Sequence, residues 1–311
     1  MDERKRNAQA SVKIDPNSIN VNAFVQTLLK TETVDCSSYK GLNFDLPFDH
    51  WEVNFYPSLG GDIEILNRNL PWYTQQHASR MLGISVKWYR AHLTGERSFT
   101  LNNLARWSIF TGYPTYLPLR NTGYYEVLQH TDLNFWDNRT LRLYAEVSIL
   151  PEYRFQAWLC AVYAFLNKQQ SQSYHTEHAI VDLITAIGYD NLKEHYLGSV
   201  SQNMVYIREQ CGYSVQDIVK AMQVTKDYYL ALEQGTTELK ASDVLRFAMS
   251  TGIAMINWAS GTLYKRIRER HNTRLDCIKT VCDDLTEEQY QSILAFTRSF
   301  FQCSNQFPTS L

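Results

Sequence analysis

The sequence predicts a mainly α-helical protein, and three observations predict it. Apolar residues recur at spacings of three and four, the period of a helix with one buried face. Polar capping residues stand just before those segments and glycines just after them. Residues 73–112 and 213–252 also align with each other at a constant offset of 140, without a gap. At 311 residues the chain is long enough for about two ordinary domains. With 44% hydrophobic and 13% aromatic residues it can bury a large core.

Identical positions of the repeat include Tyr73/Tyr213, Tyr89/Tyr229, Ala91/Ala231, Gly95/Gly235, Arg106/Arg246, Thr111/Thr251 and Gly112/Gly252. In the first copy Thr74 is an N-cap, because its hydroxyl can satisfy a free backbone donor of the first turn. Ala78 and Leu82 share one face of the helix that follows. Ser79 is small and admits a neighbouring helix. Gly83 tolerates the left-handed backbone of a tight turn. Ser85 caps the next helix, in which Tyr89 and His92 face inward and Val86, Lys87, Arg90 and Ala91 face outward. Gly95 ends it, residues 96–98 form a polar loop, and a third helix over 101–110 closes at Gly112. The second copy keeps the apolar set Ile218, Met222, Val224, Tyr229 and Leu232. Val219 replaces the small residue and Gln223 the turn glycine, which a Gln can match at a cost of about 1 kcal/mol.

The remaining segments predict more helix. Residues 140–150 and 152–168 are two helices broken at Pro151, and 178–187 a third. Residues 286–303 form an amphipathic helix capped by Thr286, with Glu287 and Glu288 at its positive end. Its Tyr290, Ile293, Leu294, Phe296, Phe300 and Phe301 suggest packing on another domain or a second chain. Residues 41–66 alternate more like short strands or an ordered arm, with turn signals at Pro57 and Gly60-Gly61.

The net charge of −2 hides an uneven distribution. Residues 68–120 carry seven basic groups and one acid, a net +6. The flanking segments 1–67 and 121–202 carry −4 each, 203–262 carries −1 and 263–311 carries +1. Such a balance excludes a histone-like cationic protein and an acidic disordered one. Residues 263–274 hold five basic groups against Glu269 and read either as a phosphate-tracking helix or as a solubilising helix end.

The stretch TQQHASRMLGISVKWYRAHLTGERSFTLNNLARWSIFTGY resembles the Cro/C1-type (XRE-like) helix-turn-helix domains of phage repressors and bacterial regulators. The second copy is similar to the same family, including Glu233-Gln234-Gly235 after the second motif helix. The resemblance implies two five-helix helix-turn-helix domains, at 67–120 and 203–262. An N-terminal arm covers 1–66, an acidic helical spacer 121–202, and a basic segment with the C-terminal helix 263–311. It also implies that the second motif helix lies in the DNA major groove. Base readers would then be Val86, Lys87 and Ala91, with Lys87 suited to guanine and Gln75 to adenine or a phosphate. Gln76 and Ser85 belong to the same surface, and Arg90 and Arg97 suit phosphates. Trp88 either packs on the sugar-phosphate edge or closes the domain core. In the second copy Lys226, with Lys265 and Arg266 beyond it, would supply the contacts, while Asp227 either accepts from cytosine or repels neighbouring phosphates.

Other chemistry finds little support. The longest apolar run, 155–166, is too short to span a bilayer, and the N-terminus lacks the apolar core of a secretory signal. The six cysteines form no Cys-x-x-Cys pair and read as free thiols of a cytoplasmic protein. His175 and His178 lack a third ligand for a metal. No phosphate-binding glycine loop or nucleophile motif occurs, so neither cofactor nor catalytic residue is expected. The expected function is a sequence-specific, double-stranded-DNA-binding transcriptional regulator of bacterial or mobile-element type, acting either as one protomer that spans two half-sites or as a homodimer with up to four modules. The alternative is an interaction scaffold that binds RNA polymerase or another regulator.

Overall fold

A computed structural model of the chain describes residues 36, 41–128, 137–148, 150–168, 189–253, 259 and 262–302. These residues are mainly α-helical, and among them there is no strand, only an isolated antiparallel bridge. In chain order the helices are α1 (Phe48–Trp51), α2 (Phe55–Arg68), α3 (Gln75–Leu82), α4 (Val86–Leu93), α5 (Leu101–Thr111), α6 (Tyr125–Leu128) and α7 (Asn138–Val147). After these come α8 (Glu152–Phe165), α9 (Tyr189–Gln210), α10 (Val215–Met222), α11 (Lys226–Glu233), α12 (Ala241–Thr251), α13 (Leu263–Cys282) and α14 (Glu287–Gln302). The predicted helix at 178–187 and the His175/His178 pair lie outside the described residues.

The repeat is structural. The bounds of α3, α4 and α5 recur 140 residues on in α10, α11 and α12. Local chemistry fixes those bounds. The hydroxyls of Thr74, Ser85, Thr100, Ser214 and Thr225 each accept a bond from a backbone N–H of their helix's first turn. At Lys240 the carboxylate of Asp243 accepts from the Lys240 N–H instead. Gly83, Gly112 and Gly252 end their helices left-handed, at φ of 69°, 75° and 68°, and Gln223 adopts the same conformation at 56°. α2 and α9 extend the match. Phe55, Leu59, Ile63 and Leu66 have buried counterparts in Tyr196, Val200, Met204 and Ile207, 141 residues on. The link into the next helix is therefore one residue shorter in the second repeat.

The two repeats meet directly through equivalent residues. Leu101 N–H donates to Leu239 O (2.8 Å) and Ala241 N–H to Phe99 O (2.9 Å), with Thr100 and Lys240 forming the antiparallel bridge. Each donor and acceptor in one bond has its repeat counterpart in the other. Side chains are exchanged in the same way. Leu101 and Ala105 complete the core of the second repeat, while Ala241 and Leu245 complete that of the first. This reciprocity is that of an isologous interface, here within one chain.

The first core does not stop at α5. It continues from Phe48 and Trp51 through the first repeat into α7, α8, α13 and α14. α13 crosses α5, α7 and α9, and its basic run is largely buried. Arg268 donates to Gly112 O and Ser108 Oγ. Arg274 donates to Ser148 O (3.2 Å), Leu150 O (3.0 Å) and Glu152 (2.8 Å), and Arg270 also pairs with Glu152 (3.3 Å). Lys265 pairs with Glu269 at 4.0 Å, and the Arg266 side chain lies outside the described residues. Arg268 and Arg274 of this run are thus inside the fold, where they form neither a phosphate-tracking surface nor a solubilising end. The guanidiniums of Arg268 and Arg274 bind the electronegative carbonyl ends of α5 and α7.

Residues 41–66 also correct the strand-like expectation, since they form an extended arm followed by α1 and α2. Pro57 sits in the first turn of α2, where no backbone donor is required. Gly60 faces the carbonyls of His92 and Leu93 so closely that a Cβ would collide with them. α14 packs on α7 and α8 of its own chain. Thr297 Oγ1 accepts from Trp158 Nε1 (2.9 Å), Arg298 pairs with Glu146 (2.8 Å), and Tyr290, Ile293 and Leu294 are buried. Phe296 stays exposed and Phe300 half-buried. No described helix is long and apolar enough to cross a membrane.

His271 on α13 is buried with its Nδ1 at 2.6 Å from the Tyr144 hydroxyl. Burial, reinforced by Arg268, Arg274 and Arg270, holds its pKa well below the ordinary histidine value. The folded chain thus refuses a proton that the unfolded chain accepts below about pH 6.5. Stability is retained above that pH and falls below it, by up to ~1.4 kcal/mol per pH unit for this one group. Thermal melts from pH 7.5 down to 5 are expected to show a falling Tm, with a shallower fall in His271→Asn. An equal pH slope in that variant would remove His271 as the cause.

Candidate nucleic-acid interface

The first repeat presents α4 on a rigid mount. On α2, the buried Asn67 donates from Nδ2 to the Tyr89 hydroxyl (2.8 Å) and accepts from Trp107 Nε1 through Oδ1 (2.9 Å). One amide therefore ties α2 to α4 and to α5. Tyr89 is fully buried, and burial pushes its pKa up to about 12. His92 is also buried. Its Nδ1 lies 3.3 Å from Arg97 O, its ring stacks at 4.9 Å on Phe99, and burial lowers its pKa, which keeps it neutral near pH 7. The close approach at Gly60 seats the C-terminal end of α4 on α2.

With Tyr89 and His92 committed to the core, the opposite face of α4 is left to solvent. Lys87, Trp88 and Arg90 are exposed, and Val86 and Ala91 are half-buried. Gln76, Arg80 and Arg97 are exposed around them. Two contacts organise the face. Arg90 Nε donates to Gln75 Oε1 (2.8 Å), joining α4 to the start of α3. The Arg97 guanidinium lies 4.2 Å above the Trp88 ring. Trp88 therefore belongs to the surface and not to the core, as a 48% exposed platform under a cation. The Ser85 hydroxyl is used as the cap of α4, accepting from Trp88 N–H (3.2 Å). Among the described residues Arg80, Lys87, Arg90 and Arg97 form no salt bridge. Arg80 was absent from the expected contacts. It lies four residues after Gln76 on the same helix, so helical spacing places both on one outer face.

The second repeat keeps the mount and changes the face. Tyr229 is buried like Tyr89, but its hydroxyl donates to Glu233 (2.7 Å), which pairs with Arg208 on α9 (2.6 Å). Asp227 stands where the first repeat has Lys87, Leu230 where it has Arg90, and Thr237 where it has Arg97. Tyr228, the counterpart of Trp88, is half-buried and donates to Asp243 (2.8 Å). The N-terminal arm adds a strap. Gln223 Nε2 donates to Leu46 O (2.8 Å), and Lys220 Nζ lies 5.2 Å from the Phe44 ring. Arg246 bridges Glu52 (2.7 Å) and the carbonyls of Met222 and Gln223 (3.1 Å each). Lys226 remains exposed. Lys265 lies on α13, half-buried.

Among the described residues no cluster of three or more His, Cys, Asp or Glu side chains is placed to hold a metal ion. No known protein family matches the chain, and neither does any curated protein or solved structure.

The mount can be tested separately from the face. Asn67→Ala leaves the Trp107 indole N–H and the Tyr89 hydroxyl without their buried partner, at a cost of ~3 kcal/mol. Chemical denaturation is expected to show a loss of that order, against ~1 kcal/mol for Tyr89→Phe. Equal small losses would mean that the amide does not tie the helices together.

Proposed function

We propose that the protein is a sequence-specific double-stranded-DNA-binding regulator of transcription, with the first repeat as its reader. One observation carries the proposal. The outer face of α4 and its surroundings hold four exposed cations with no carboxylate partner among the described residues, arranged around an exposed tryptophan. An unopposed cationic face on a rigid helix matches a phosphate backbone, where released counterions supply most of the affinity. In this reading the helix-turn-helix of α3 and α4 sets α4 in the major groove. Lys87 bonds a guanine edge and Gln75 an adenine edge or a phosphate. Val86 and Ala91 touch thymine methyls, and Arg90, Arg97 and Arg80 hold the backbone. Gln76 and Ser85 border the same groove. The second repeat, with a net charge of −1 over 203–262 and its turn strapped by the arm, supports the other reading, a protein-binding surface for polymerase or another regulator.

Binding to genomic DNA fragments across a salt series tests the proposal. With about four phosphate contacts, the logarithm of the binding constant falls against that of salt with a slope of about −3 to −4. Enrichment of one sequence is expected. Lys87→Ala changes the preferred sequence, whereas Arg97→Ala weakens all sequences alike and flattens the slope by about one. Absence of binding at low salt would sink the proposal.

A further inference from the structure

We infer that a single chain is an internal pseudo-dimer that occupies one duplex alone, on an asymmetric site gripped by the first repeat and only lightly touched by the second. The inference rests on the DNA reading above and adds to it stoichiometry and site symmetry. The paired bonds Leu101 N–H to Leu239 O and Ala241 N–H to Phe99 O exchange equivalent residues across the Thr100–Lys240 bridge. A local two-fold axis therefore passes through that bridge and relates α4 to α11. In two-fold DNA readers the same operation is supplied by a second protomer, which places two recognition helices about one helical turn apart.

Here the operation is used up inside the chain. Leu101 N–H with Leu239 O and Ala241 N–H with Phe99 O satisfy one another, while Lys240 N–H and the carbonyls of Thr100 and Lys240 are bonded within their own segments, so a second copy finds none of these groups free. Tyr56 bonds Ser242 (2.8 Å) and Glu52 pairs with Arg246, contacts that fasten the leading part of the first repeat to the second. The halves are equivalent in backbone and unequal in charge. Residues 75–97 carry four basic groups and one acid, and the corresponding 215–237 carry two basic groups and three acids. A duplex lying across both is held by its phosphates on one side only. The preferred sequence should therefore lack two-fold symmetry.

The test uses the full chain and a duplex of about 30 base pairs enriched from a random library, long enough for two adjacent half-sites. Native mass spectrometry reads the stoichiometry, and hydroxyl-radical footprinting reads the contacts. One chain per duplex is expected, protecting two patches about one turn apart. The patch under the first repeat should lose protection first as salt rises. Lys87→Ala with Arg90→Ala and Arg97→Ala should weaken binding at least about 10-fold, and Lys226→Ala less than about 2-fold. Two chains on one duplex with a palindromic footprint would overturn the inference while leaving DNA binding intact. A larger effect of Lys226→Ala than of the triple substitution would overturn the assignment of the grip. No binding of the unaltered chain in about 50 mM salt would instead overturn the DNA reading, and this inference with it.

Discussion

Two backbone hydrogen bonds at the junction of α5 and α12 organise the molecule. The segments 99–101 and 239–241 are the loop ends from which those helices start, and each gives one N–H and one carbonyl to the other. The bonds alone are worth only about 1 kcal/mol each. Their weight comes from what they align. With the bridge in place, Leu101 and Ala105 reach the second core, and Ala241 and Leu245 reach the first. Neither repeat closes its core with its own residues. Burial of apolar surface on both sides then makes the pairing obligatory.

Around this junction the same backbone plan serves two chemistries. A tyrosine on the inner face of the fourth and eleventh helices anchors each to the helix before the motif. In one repeat a neutral amide, Asn67, receives it. In the other an ion pair, Arg208–Glu233, does so. The outer faces diverge further, with Lys87, Arg90 and Arg97 replaced by Asp227, Leu230 and Thr237. Inner positions are constrained by packing and outer ones are not, so function can be divided between the halves without changing the fold.

The parts legible in the sequence are those written in local chemistry. Thr74, Ser85, Gly83 and Gly112 mark helix ends by their own hydrogen bonds and dihedral angles, and the structure places them at those ends. The inward face of Tyr89 and His92 followed from spacing alone. Residues 41–66 misled because Pro57 and Gly60 look like breakers. One occupies a turn that needs no donor, and the other makes room for carbonyls some thirty residues further on. The run 263–274 misled for a related reason. The partners of Arg268 and Arg274 include main-chain oxygens at the ends of other helices, which no pattern of side chains announces. The junction was invisible for the same cause, since backbone groups make it. On the candidate face, the outward cations could be read from helical spacing, whereas the stacking of Arg97 on Trp88 needed the loop conformation.

The reach of α13 bears on how the chain is made. Gly112 O waits for Arg268, the carbonyls after α7 wait for Arg274, and the core begun by Phe48 is completed by Leu294 on α14. On a ribosome, synthesis at about 5–20 residues per second delivers these partners many seconds after the first repeat has emerged. During that interval the leading half exposes apolar surface that only its own trailing end can cover. The first repeat therefore completes its core only after α13 and α14 have been made, whereas the core of the second repeat needs nothing from α14.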